Sequence, residues 1–252
     1  MKKIFFFILL FLPSMVFSNS FEDGIRYYEN RSEEYSGLTS SDKNINRAIQ
    51  IFEKNLGSNL DHDAALYLLK SYYFKGEYCI KDIEEKKKIF NKGKIIGEKY
   101  IKKYPAKASY RYWYLVNLGS WAKAYGTISA AREGVADIMR EQSLEIIKID
   151  TMYKDGGGYF MLGAVNFSSP YIPFLLSWPD NDVAVNYLTL AVETGEATLN
   201  QKNYLAQALF KQGKERKAKK ILREVITAKP QKNNLVEDLN EIFEAKQILK
   251  DF

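Results

Sequence analysis

Apolar residues in this chain return every three or four positions almost from end to end, and alternating apolar and polar runs joined by hairpin turns are not apparent. The pattern predicts an all-α fold. NLVEDLNEIFEAKQILK gathers Leu235, Leu239, Ile242 and Phe243 on one face and predicts an amphipathic C-terminal helix that caps the array. KDIEEKKKIFNKGKIIGEKYIKKYP predicts one long helix, with Gly93 and Gly97 letting a neighbouring helix come close. In YRYWYLVNLGSWAKAYG, residues Trp113, Asn117 and Trp121 fall four apart and share a face. They are either packing residues, with Asn117 in an interhelical hydrogen bond, or contacts for a ligand or partner.

A longer period underlies the helical one. Laying AVNYLTLAVETGE over AKKILREVITAKP matches Ala184 with Ala218, Leu188 with Leu222, Ala191 with Val225 and Glu196 with Pro230, an offset of 34 residues. A small residue, a bulky one a turn later and another small one let paired helices nest. Gly93, Gly97, Tyr100 and Pro105 repeat the frame, as Ala48, Phe52 and Asn55 do in part. First helices are marked by Tyr159, Leu162 and Gly163 and by Leu205, Ala206 and Leu209, with Gly76 and Gly213 expected to supply turns. These residues resemble the tetratricopeptide repeat. The resemblance implies a helical-hairpin solenoid, expected to form a single domain over residues 19–252.

The frame breaks in two places. Leu69 to Gly93 spans 24 positions where 12 are expected, the extra length falling in the long helix. Gly163 to Ala184 spans 21 against 12 for Ala206 to Ala218, so an insert of nine residues separates the two helices of one repeat. SSPYIPFLLSWP, the stretch that contains it, has too many prolines for a helix and is too apolar for an ordinary solvated loop. Such a segment either plugs the hollow of its own solenoid, walls a ligand pocket or meets a partner.

The N-terminal Lys2, Lys3, the apolar run Ile4 to Leu12 and the following PSMVFSNS read as a signal peptide over residues 1–18. A periplasmic or secreted, soluble protein starting near Asn19 is expected. No cysteine lies near that cleavage region, which argues against a bacterial lipid anchor.

The formal charge of +6 falls to +4 once Lys2 and Lys3 are removed, and basic residues mix with acids at helical spacing, which argues against nucleic acid as a partner. Cys79 is the only cysteine, so intramolecular disulfides and cysteine-rich zinc sites are excluded. His62 is the only histidine; the neighbouring residues of DHD point in different directions on a helix, and Asp61 is expected to cap it. Neither a metal site nor a cofactor nor a catalytic constellation is read from the chain.

YWYLVNLGSWAKAYG, then a helix, then GGGYFMLGAVNFSSPYIP, then NDVAVNYLTLAVE resembles the periplasmic T component of TRAP transporters, over roughly Phe90 to Pro230. That resemblance implies an oligomeric helical protein with a hollow or pore, which docks a solute-binding protein and binds or passes an apolar small ligand. Many relatives are lipoproteins, from which this chain departs. The function expected is a non-enzymatic extracytoplasmic binding scaffold, its ligand or partner contacts being Trp113, Asn117, Trp121, Phe167, Tyr171, Phe174 and Trp178. The alternative is an envelope assembly scaffold that binds peptide segments in a concave groove, which predicts Asn- and Lys-rich concave positions and a buried insert.

Overall fold

The computed structural model describes residues 20–252 apart from residue 175; the signal-peptide reading of residues 1–18 lies outside the described residues. The expected all-α, helical-hairpin architecture is observed. Its helices are α1 (Phe21–Glu29), α2 (Lys43–Lys54), α3 (Asp61–Phe74), α4 (Ile83–Lys103), α5 (Ala108–Tyr125), α6 (Thr127–Arg132) and α7 (Val135–Ile149). They continue as α8 (Gly157–Ser168), α9 (Asn181–Glu193), α10 (Leu199–Lys211), α11 (Glu215–Thr227) and α12 (Leu235–Asp251). Each long helix packs on its chain neighbour, and α3, α5, α8 and α10 also make next-but-one contacts, as in a solenoid. No described helix is long and apolar enough to cross a membrane.

One apolar cluster runs through the array from Phe21 to Ala245. The repeat positions occupy it as the 34-residue frame demands: Ala184, Leu188, Ala191, Ala218, Leu222 and Val225 are all sealed from solvent. Local chemistry sets the helix ends. Asp82 caps α4 by accepting from the Glu85 amide at 2.9 Å, and Thr198 with Gln201 forms a reciprocal capping box on α10.

The long helix α4 forms as expected, and its glycines act through space. An added Cβ at Gly93 would lie 2.9 Å from the Cβ of Asn117, and one at Gly97 2.8 Å from the Cβ of Tyr114, so α4 and α5 meet nearly backbone to backbone. Gly76 differs from its expected role. The turn after α10 does use Gly213, at φ +81°, but Gly76 sits in a π-helical extension of α3, Lys75–Cys79, where a Cβ would run into Ile89 at 2.9 Å and into the Phe90 ring.

Three further expectations need correction. A two-residue hairpin, β1 (Tyr35–Ser36) with β2 (Thr39–Ser40), interrupts the helices after α1; the strands are too short to leave an alternating pattern. Asp61 does not cap α3. It begins the helix, and its carboxylate accepts from the Gly57 amide at 2.7 Å, from Lys103 at 2.6 Å and from the Tyr100 hydroxyl, which holds its carboxyl down at about 2 despite desolvation. Finally, α12 buries Val236, Ile242 and Ala245 while Phe243 stays exposed, and it does more than cap.

The beginning of the chain meets its end across α12. Arg31, buried in the loop after α1, donates to Glu237 of α12 at 2.6 and 3.0 Å, to the side chain of Asn234 at 3.2 Å and to the carbonyl of Asn233. Asn240 of α12 donates to the carbonyl of Leu38 at 2.9 Å. These contacts join the two ends of the array, and Glu77, Lys123, Tyr204 and Glu241, from the end of α3 and from α5, α10 and α12, lie close enough to interact electrostatically.

Candidate functional site

The insert leaves α8 at Ser169 and reaches α9 at Asp180. Its middle is a tight loop in which Ile172 and Leu176 exchange both backbone hydrogen bonds at 2.8 Å. That pairing turns Ile172 and Leu176 inward and leaves Phe174 at the tip, fully exposed and at φ 65°, a conformation that costs a non-glycine residue about 1–2 kcal/mol. Trp178 ties the returning strand of the loop to α7: its indole donates to Asp137 at 2.7 Å, and the Arg140 guanidinium lies 5.0 Å over its ring.

Beneath the loop lies a cavity of about 290 Å³ with a mainly apolar wall. Ala164 and Val165 of α8, with Ile172 and Leu176 of the insert, form one side; Ala122, Ala130 and Ala131 of α5 and α6, with Val135 and Met139 of α7, form the other. The space exists because small side chains of α6 face it where a helix of larger residues would close it. Lys123 and Tyr204 also line it.

Of the residues singled out from sequence, none of the aromatics lines this cavity, although the insert that carries several of them does. Trp121 is buried, stacked on Tyr125 at 4.3 Å with Lys94 4.7 Å over its face. Trp113 is half-buried among Lys70, Tyr73 and Tyr112. Asn117 is fully enclosed and donates to the carbonyls of Leu69 at 3.0 Å and Trp113 at 2.8 Å, joining α5 to α3. Its role is packing, and no partner can reach it in this fold. Phe167 packs edge-on against Tyr204, while Tyr171 and Phe174 face solvent. The residues missed were Ile172, Leu176, Lys123, Tyr204 and the small residues of TISAA, whose lack of bulk was the available signal.

The groups around Lys123 are polar. Glu77 accepts from the Ser120 hydroxyl at 2.6 Å, and Glu241 accepts from Asn200 at 2.7 Å and Asn203 at 2.8 Å. Burial, reinforced by the nearby Glu244, pushes the Glu241 carboxyl up to about 7. Lys123 is solvent-accessible, and the Tyr204 hydroxyl and the surrounding carboxylates hold its ammonium above the usual lysine value despite partial desolvation.

The two residues with the most reactive side chains stay apart. Cys79 rests against the Ser41 carbonyl at 3.7 Å, its thiol pushed up to about 12 by burial. His62 is held by Tyr110, whose hydroxyl is 2.6 Å from Nδ1 and 2.7 Å from the His62 carbonyl. Among the described residues no group of three or more His, Cys, Asp or Glu side chains is placed to hold a metal ion. No protein-family model matches the chain, and no curated protein matches it.

Proposed function

We propose that this protein is a non-enzymatic extracytoplasmic binding scaffold that holds an apolar small ligand and associates with a solute-binding protein, in the manner of a TRAP-transporter T component. The observation that carries the reading is the apolar cavity whose outer wall is the insert. A segment that breaks the repeat and covers empty apolar space is what a ligand pocket requires, whereas a plug would fill the space it covers. The solvent-facing tip, Tyr171 and Phe174, then supplies the partner contact, since a strained, fully exposed aromatic contributes nothing to the fold that holds it.

The envelope-scaffold reading draws support from Lys123, Asn200 and Asn203, but Glu77, Glu241 and Glu244 lie beside them and α12 packs on α10. A peptide groove needs an open concave edge. Native mass spectrometry of the protein isolated from its own cells, with and without crosslinking, separates the two readings. A bound apolar molecule that disappears with Ala131→Phe, and a crosslinked solute-binding protein that disappears with Tyr171→Ala plus Phe174→Ala, is the expected result. Recovery only as a bare chain crosslinked to envelope assembly factors would overturn it.

A further inference from the structure

We propose that the cavity takes an amphiphilic anion, a medium-chain aliphatic carboxylate, with the chain beneath the insert and the carboxylate on Lys123. This rests on the apolar-ligand reading and deepens it. At about 290 Å³ the cavity is at the small end of ligand pockets, suited to a chain of modest length and too small for a bilayer lipid with two tails.

Lys123 is the lysine or arginine whose side chain reaches this wall, and among the described residues it makes no ion pair and donates no hydrogen bond to a protein group. Cations elsewhere behave differently: Arg31, Lys94 and Lys103 each have a carboxylate within 2.8 Å.

The acids near Lys123 are already engaged. Glu77 is held by Ser120, Glu241 by Asn200 and Asn203, and Asp137, on the cavity wall, by the Trp178 indole. Glu77, Glu241 and Glu244 hold the Lys123 ammonium in its charged form from beyond ion-pair distance, so no carboxylate occupies the position an anionic head would take. The Tyr204 hydroxyl, facing Lys123 from α10 on the same wall, is a second donor within reach of an anionic head. An apolar chamber lined by one ammonium without a direct ion pair and by one hydroxyl matches an amphiphile, and neither a neutral hydrocarbon nor a compact dianion uses all of it.

The test is calorimetric titration of the purified protein with octanoate and with octanol, at pH 7.5 and low salt. Octanoate is expected to bind about tenfold or more tighter than octanol, the scale of one charge-assisted contact. Lys123→Met should erase that preference while leaving octanol affinity unchanged, Lys123→Arg should keep it, and Ala131→Phe should abolish binding of both. Added salt should weaken octanoate alone. Equal affinity for the two probes, or a preference that survives Lys123→Met, overturns the charged-head assignment and leaves the apolar-ligand reading standing. Failure of both to bind, or octanoate binding unaffected by Ala131→Phe, overturns the assignment and, in the first case, the apolar pocket with it.

Discussion

Replacing Gly93 by alanine tests whether the close approach of α4 to α5 organises the middle of the array. In an isolated helix the change would be favourable by about 1 kcal/mol, because alanine has less backbone entropy to lose. Here the new methyl would sit 2.9 Å from the Asn117 Cβ and closer still to its amide. Overpacking of this kind costs about 1–3 kcal/mol. Displacing the amide also breaks the 3.0 Å bond to the Leu69 carbonyl at a fully enclosed side chain, at a further cost of about 1–3 kcal/mol. The net is a destabilisation of about 3 kcal/mol, which for a chain of this length is a fall of roughly 6–12 °C in Tm. Thermal and urea unfolding followed by circular dichroism measure it. Gly119→Ala is the control, because its nearest neighbour, the Met139 Cε, is 3.8 Å away and only the helical gain should remain. Because the clash is with one side chain, Gly93→Ala combined with Asn117→Ala should cost at least about 1 kcal/mol less than the sum of the two single changes. Strict additivity, or a Gly93→Ala protein as stable as Gly119→Ala, would refute the reasoning.

Two other perturbations probe the joined chain ends and the raised Glu241 carboxyl. Arg31→Met removes the cation from a largely buried pair and strands Glu237; a loss of about 3–5 kcal/mol is expected, with hydrogen exchange speeding up in α1 and α12 well before α5 to α8, and unchanged exchange would show that the ends are not coupled. Glu241, whose folded carboxyl is raised to about 7 from the ordinary 4.5, contributes its full stability below pH 4.5 and loses it as pH rises to 7, by roughly 3 kcal/mol, because the unfolded chain gives up that proton first. Glu241→Gln should therefore gain on the wild type between pH 4.5 and 7 and level off above, as read from urea midpoints across that range; parallel profiles would remove the raised carboxyl from consideration.

The parts legible in the sequence are those fixed by neighbours a few residues apart. The 3.6-residue period gave α4 its length, and the 34-residue frame located the insert, because nested helices tolerate few substitutions at Ala184, Leu188 and Ala191. What the frame could not supply was orientation. Tyr171 and Phe174 look like the apolar payload of the insert, but the two-bond bridge between Ile172 and Leu176 turns the aliphatic pair inward and the aromatics out. Bulk was the misleading signal, since a cavity is marked by small residues, and TISAA reads from sequence as an ordinary helix. Asp61 failed as a cap for a similar reason: a carboxylate at a helix start is drawn to whichever donors lie nearest, and Tyr100 and Lys103 reach it from α4.

Closure lay furthest from view, and it bears most directly on the cavity. Arg31 and Glu237 are 206 residues apart, and nothing local in either segment specifies the other. Their pairing fastens the loop after α1 to α12, which packs on α10 and α11 and carries Glu241 and Glu244, both in the field of Lys123. An open array would leave Lys123 to bulk solvent, where a single ammonium discriminates weakly between charged and neutral ligands. Inside the closed array the same ammonium is partly desolvated, and its preference for an anion should be greater below pH 7, where the neighbouring Glu241 carboxyl is largely neutral. Selectivity at the cavity is therefore coupled to a contact at the chain ends: Arg31→Met should reduce the octanoate preference as well as the stability, although Arg31 is not among the residues that line the cavity.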